Sequence, residues 1–278
     1  MALTQFLVTQ HSKAYWRITF GNPPINLVNP ETILELQSIV NELEIDPDVQ
    51  VAVFDSAHPD FFFARYDLRR AAETPVAPGP SGLPTWIDLT TRLSQMSVIS
   101  IASIRGRTRG AGSEFALACD MRFASREKAV FGQPEVPAGV IPGGGAIERL
   151  PLLMGRARAL EVILGGDDFD AGLAERYGWV NRAVPDAELD KFVNDLARRI
   201  ADFDPFALRE AKRLLNRGTL PHPTELCETM DVFLDATRRP EVVAIAQKAA
   251  SVIAAVGPKE FELHLGHYLG QLNAPIAS

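Results

Sequence analysis

The sequence predicts an α/β protein built on a parallel sheet, and three observations carry that prediction. A strand–helix–strand unit is legible between Ala14 and Phe54 and recurs down the chain. A wholly apolar, β-prone run from Val98 to Ile104 passes through a glycine turn into a short helix and a further strand. From Asp186 onward the pattern is helical almost throughout. We divide the chain into a core over 1–203 and a C-terminal helical segment over 204–278. Its 278 residues suffice for one large domain with a small appendage.

The elements follow in order. Ala14 to Phe20 (AYWRITF) alternates and is rich in aromatic and β-branched types, so it reads as a strand, broken by Asn22-Pro23-Pro24. Ile33, Leu34, Leu36, Ile39, Val40 and Leu43 form a helical stripe within Pro30 to Ile45. Asp46-Pro47-Asp48 ends that helix, and Val49 to Phe54 is a buried strand. Thr74 to Pro84 (TPVAPGPSGLP) is too punctuated by Pro and Gly for regular structure. Trp86 to Met96 reads as a helix leading into the apolar strand. Ile147 to Leu164 reads as one helix with Gly155 inside it; Asp186 to Ile200, Phe206 to Asn216 and most of Thr224 to Gly270 read as further helices.

The chemistry concentrates between Ile101 and Leu150. Gly110-Ala111-Gly112 hands a strand to a helix from Glu114 to about Cys119, and such a junction aims free N–H groups and the positive end of a helix dipole at whatever lies in front. Glu114 sits in the first turn of that helix. A second carboxylate, Glu135, follows Gln133-Pro134, where proline excludes a helix interior.

This run resembles the core signature of the crotonase family, the enoyl-CoA hydratase/isomerase superfamily. The matching pieces are Ile101-Ala102-Ser103-Ile104-Arg105-Gly106, Gly110-Ala111-Gly112-Ser113-Glu114-Phe115-Ala116, Cys119-Asp120, Phe131-Gly132-Gln133-Pro134-Glu135 and Gly139-Val140-Ile141-Pro142-Gly143-Gly144-Gly145. Ile25 to Asn29 resembles the family's CoA-lining turn. The resemblance runs from about residue 15 to about 215 and fades in the tail, which lacks the family's usual C-terminal motif. It implies a crotonase-like ββα spiral, with the C-terminal helices building a homotrimer or a dimer of trimers.

The resemblance also implies an acyl-CoA thioester enzyme, and retention of both glutamates favours an enoyl-CoA hydratase adding water across a 2-enoyl-CoA through a stabilised enolate. Glu135 would exchange the α-carbon proton while Glu114 activates the water. Aligning Asp67-Leu68 with the family motif puts Ala64 at one half of the oxyanion hole, and position puts Ala111 at the other. Arg65 stands where the family has glycine. Its guanidinium either points to solvent or faces the ligand, which would favour an anionic substrate. Arg69 and Arg70 could reach the CoA phosphates, but read first as a solvated helix start. One of Arg105, Arg107 and Arg109 could hold an anion. No cofactor is implied, because coenzyme A is part of the substrate.

Two other readings share the scaffold: an isomerase or hydrolase, and a non-catalytic acyl-CoA-binding or assembly protein, which Arg65, Ala111 and the altered tail motivate. A net charge of −7 gives no reason to expect nucleic acid or an anionic membrane as partner. Two cysteines, the absence of an eighteen-residue apolar run and an N-terminus unlike a secretory signal lead us to expect a cytoplasmic protein. Ser113 lacks the Gly-x-Ser-x-Gly context of a nucleophile, and Phe115 stands where a dinucleotide fingerprint needs glycine. His264 and His267 lack a third ligand, so no metal site is expected.

Overall fold

The structure, a computed structural model, describes residues 3–273. Strands β1 (Phe6–Gln10), β2 (Tyr15–Phe20), β3 (Val51–Ser56), β4 (Ile99–Ile104), β6 (Met121–Ser125) and β9 (Arg182–Val184) form one sheet in the order β1-β2-β3-β4-β6-β9. Only the β1–β2 pair is antiparallel. The short strands β5 (Arg107–Arg109), β7 (Val130–Gly132) and β8 (Phe169–Asp170) make a second sheet, β5-β7-β8.

Both faces of the large sheet are covered, which is why β3 and β4 read as continuous apolar runs. Val51, Val53, Ile99, Ile101 and Phe123 point toward α7 (Asp186–Ala201) and meet its Leu189, Val193 and Ala197. The alternate residues Ala52, Phe54, Ala102 and Ile104 point into the main core with α1 (Pro30–Ile45), α2 (Thr85–Gln95) and α3 (Ala111–Ala118). The α1 entry is set by its cap: Asn29 accepts the Thr32 N–H at 2.9 Å, Thr32 returns a bond to Asn29, and Pro30 opens the helix.

The expected single helix from Ile147 to Leu164 is instead two, α4 (Ala146–Met154) and α5 (Arg156–Gly165). Gly155, at φ +77°, turns the chain between them. Strands β1, β5, β7, β8 and β9 escaped the sequence pattern, the last four because two or three residues carry no periodicity.

After α6 (Ala171–Tyr177), β9 and α7, helix α8 (Pro205–Asn216) is anchored to the sheet. Its buried Lys212 donates to Val98 O at 2.8 Å and to Asp120 Oδ2 at 2.7 Å, while Asp120 also accepts the Ser100 N–H. Helices α9 (Pro223–Ala236), α10 (Pro240–Val256), α11 (Pro258–Leu263) and α12 (Leu265–Leu272) then fold back over the open end of the core. None of the helices among the described residues is long and apolar enough to cross a membrane.

Candidate active site

A cavity of about 700 Å³ opens between the Gly-rich junction and the C-terminal helices. Glu114 and Glu135 both line it. Glu114 reaches it because Gly112 lets α3 approach the Phe61–Ala64 segment closely: a Cβ on Gly112 would lie 1.8 Å from Phe63 O. Glu114 is 4% exposed, and its Oε1 accepts the N–H groups of Gly144 at 2.7 Å and Ala146 at 3.3 Å. Its Oε2 has no donor among the described residues. Burial pushes the Glu114 carboxyl up to about 7 despite the two amide bonds, which pull the other way.

Glu135 lies in the turn after Pro134, whose carbonyls accept the N–H groups of Ala138 and Val140. Its Oε2 is closed off from solvent and meets no hydrogen-bond partner among the described residues. Its Oε1 would be 2.6 Å from a Cβ on Gly110, so only glycine leaves it room there. Burial, reinforced by the Glu114 charge, raises the Glu135 carboxyl well above its ordinary value. The two environments therefore differ in kind. Two N–H donors from the Gly144–Ala146 turn favour the charged form of Glu114, whereas among the described residues no donor from another residue favours the charged form of Glu135.

The backbone donors require a correction. The Ala64 N–H is spent on Asn26 O at 2.9 Å, and Ala64 is 1% exposed and does not line the cavity, so it is no oxyanion donor. Two residues on, Val28 forms a parallel bridge with Tyr66: its N–H bonds Arg65 O and its carbonyl takes the Asp67 N–H, both at 2.8 Å. The N–H of Tyr66 thus points away from Val28, and Tyr66 lines the cavity. It has no acceptor among the described residues. The Ala111 N–H, at the start of α3, likewise has none there and also borders the cavity. Asn26 is the one non-glycine residue with positive φ among those described, so Ala111 takes the glycine's place without strain.

Asp67 is buried as a cap, accepting from the Arg69 N–H at 3.2 Å and its Nε and Nη2 at 2.9 Å each. Leu68, though 44% exposed, contributes an apolar wall. Arg65 neither points to solvent nor stands free for an anion: its guanidinium pairs with the carboxylate of Glu262 on α11 and donates to Tyr66 O at 3.0 Å. Arg105, Arg70 and Arg109 are also engaged. Arg105 holds Asp186 and Asp190, both at 2.9 Å, and Arg70 holds Glu31 and Glu73. Arg109, 1% exposed, makes two 2.6 Å bonds to Asp168. Arg107 is half-buried, with its Nε unpartnered among the described residues. His264 lies 3.7 Å from Glu260, and His267 bonds Gln271 at 2.9 Å.

Sequence reasoning missed the Tyr66 amide and Glu262. Strand alternation counted back from Asp67 would have found the first. Nothing local marks the second, since a glutamate in a short helix reads as solvated. The cavity wall supplied by Phe233, Ile245, Ala249 and Phe261 was also invisible, because the tail carries no motif.

The chain matches the family model described as enoyl-CoA hydratase/isomerase over residues 10–239. A short-chain-enoyl-CoA hydratase from Clostridium acetobutylicum is 32% identical over 202 residues, covering 72% of this chain and 77% of the relative. Carnitinyl-CoA dehydratase from Escherichia coli is 32% identical over 208 residues, covering 75% and 78% respectively. A solved structure from Streptomyces avermitilis, described provisionally as an enoyl-CoA hydratase, is 44% identical with a TM-score of 0.90, covering 98% of this chain and 100% of that one.

Proposed function

The chain belongs to the enoyl-CoA hydratase/isomerase family, and from that membership we propose that it hydrates a 2-enoyl-CoA with Glu114 as base and Glu135 as acid. The contrast between the two carboxyl environments carries the assignment. Two like charges in one buried cavity disfavour double ionisation, so the pair holds one proton near neutral pH. That proton resides on Glu135, whose carboxyl meets no donor from another of the described residues to stabilise a charge.

The steps follow. Glu114 takes a proton from water as the oxygen bonds to the β-carbon, and the double-bond electrons move through the α-carbon to the thioester oxygen. The N–H groups of Tyr66 and Ala111 bond the resulting enolate oxygen; removing one such donor elsewhere costs roughly 3–4 kcal/mol. Glu135 then gives its proton to the α-carbon and the carbonyl re-forms. Proton exchange between the two carboxyls resets the site. Coenzyme A enters and leaves as part of the substrate.

The acyl group is neutral and apolar. Arg65 is neutralised by Glu262, Arg69 by Asp67, and the walls from α9 and α10 are apolar or small. A carboxylated acyl chain would find two glutamates, and the arginines lining the cavity among the described residues, Arg65, Arg69 and Arg238, are each already paired with a carboxylate. We further assign a homotrimer or dimer of trimers: Leu152, Leu153, Phe206, Leu214 and Leu215 are exposed on α4 and α8 and need cover. Two free thiols, Cys119 and Cys227, support a cytoplasmic setting.

The test is hydration of short, long and carboxylated enoyl-CoAs by the wild type and Glu135→Gln. Turnover of a neutral chain that collapses in the variant supports the reading. Turnover unaffected by the substitution overturns it.

A further inference from the structure

The two backbone donors of the site come from distant parts of the chain, and each is preceded by an arginine. Arg65 adjoins Tyr66, and Arg109 lies two residues before Ala111. Both arginines reach the same residue. Arg65 pairs through Nε and Nη2 with the Glu262 carboxylate, and Arg109 Nη1 donates to the Glu262 carbonyl at 2.6 Å. Arg109 also donates weakly to Leu263 O at 3.4 Å. Glu262 itself is 2% exposed. A lone buried carboxylate there would be costly, so the Glu262 side chain depends on Arg65, while Arg109 holds the backbone beside it.

We propose that Glu262 is a positioning residue for the oxyanion hole, fixing the Tyr66 and Ala111 amides relative to one another by anchoring the arginine upstream of each. This rests on the reading of those two amides as the enolate donors. Two details of the geometry support it. Arg65 Nη1 donates to Tyr66 O at 3.0 Å, so the guanidinium held by Glu262 also holds a carbonyl of the donor residue. The bridge to Val28 holds the two planar peptide units that carry the Tyr66 N–H and carbonyl from one side, and Arg65 bonds the second of them from the other. The carrier of Glu262, α11, is independently pinned at its start by Lys259 to Asp60 at 3.1 Å and by burial of Phe261. Glu262 therefore acts from a fixed point.

An oxyanion hole acts in proportion to how well its donors are aimed, so loosening it raises the barrier without weakening ground-state binding. Glu262→Gln keeps the shape and withdraws the charge that orients Arg65. The expected result is a loss of roughly tenfold in kcat with KM changed by less than about threefold. A second readout separates aim from stability: the absorbance red shift of a bound, conjugated aromatic enoyl-CoA, which reports polarisation of its carbonyl. Glu262→Gln lowers that shift even in fully folded protein. Arg65→Lys provides the same test if Glu262→Gln does not fold, since lysine can pair with Glu262 but cannot also hold Tyr66 O as a fork. A folded variant with reduced melting temperature but wild-type kcat and red shift overturns the proposal. A wild type that binds the probe without any red shift overturns instead the assignment of the two amides on which it rests.

Discussion

Glu114 Oε1 accepts the Gly144 N–H at 2.7 Å, and the same glycine leaves no room for a side chain. The Pro142–Gly145 turn therefore serves the Glu114 carboxylate directly, bringing its backbone to it as a side-chain donor would. A Cβ on Gly144 would fall 2.3 Å from both Glu114 Oε2 and Trp86 Nε1. Gly144→Ala is expected to displace Glu114, lowering kcat by at least roughly tenfold and stability by about 1–3 kcal/mol. Steady-state kinetics and denaturant unfolding measure the two effects.

Removing either carboxylate separates chemistry from binding. Glu114→Gln and Glu135→Gln should each lose about 10²–10⁴ in kcat. Thioester affinity should change little, because neither group is needed to hold the CoA. Calorimetric binding of a saturated acyl-CoA checks the second half of the prediction.

The same carboxylates impose a pH dependence on stability. Both are held above their ordinary 4.5, so the native state binds more protons than the unfolded chain above that pH. Their contribution is fully present below about pH 4.5 and is lost as pH rises toward and through about 7. Glu135→Gln should flatten this decline, so its melting temperature relative to wild type rises between pH ~5 and ~8. A parallel pair of melting curves across that range would contradict the assigned burial cost.

Helix α8 tests how the helical segment is tied down. Lys212→Met leaves Asp120 without its cation and Val98 O without its donor, and should cost about 3 kcal/mol. The double variant Lys212→Met with Asp120→Asn should recover part of that loss, which a double-mutant cycle reads.

The acyl preference can be moved from α10. Ala249→Trp fills the apolar wall, so kcat/KM for a long neutral enoyl-CoA should fall roughly tenfold or more, with the shortest substrate changed less than about threefold. Equal losses for all chain lengths would place the acyl group elsewhere in the cavity.

Much of the molecule is written locally in the chain. The α1 helix runs from Pro30 to Ile45 in both sequence and structure because its cap, its proline and its apolar stripe all lie within the same sixteen residues and the one before them. The β4–α3–β6 unit and the placement of Glu114 and Glu135 follow from short-range signals of the same kind: an apolar run, a glycine turn, a proline. Gly155 shows the limit. Its place in a helical pattern was readable, but the decision to turn there depended on how two helices pack.

The sequence by itself determined the α/β class, the two carboxylates and the glycines that admit them, since each depends on neighbours within a few residues. Only the tertiary structure decided which amides stay free, which donors each carboxyl meets, and what the arginines do. Those outcomes depend on pairings across long separations: Asn26 with Ala64, Arg65 with Glu262, Glu114 with Gly144. Whether a buried polar group is charged, spent or available is set by what the fold places beside it, and that is not encoded in its own stretch of chain.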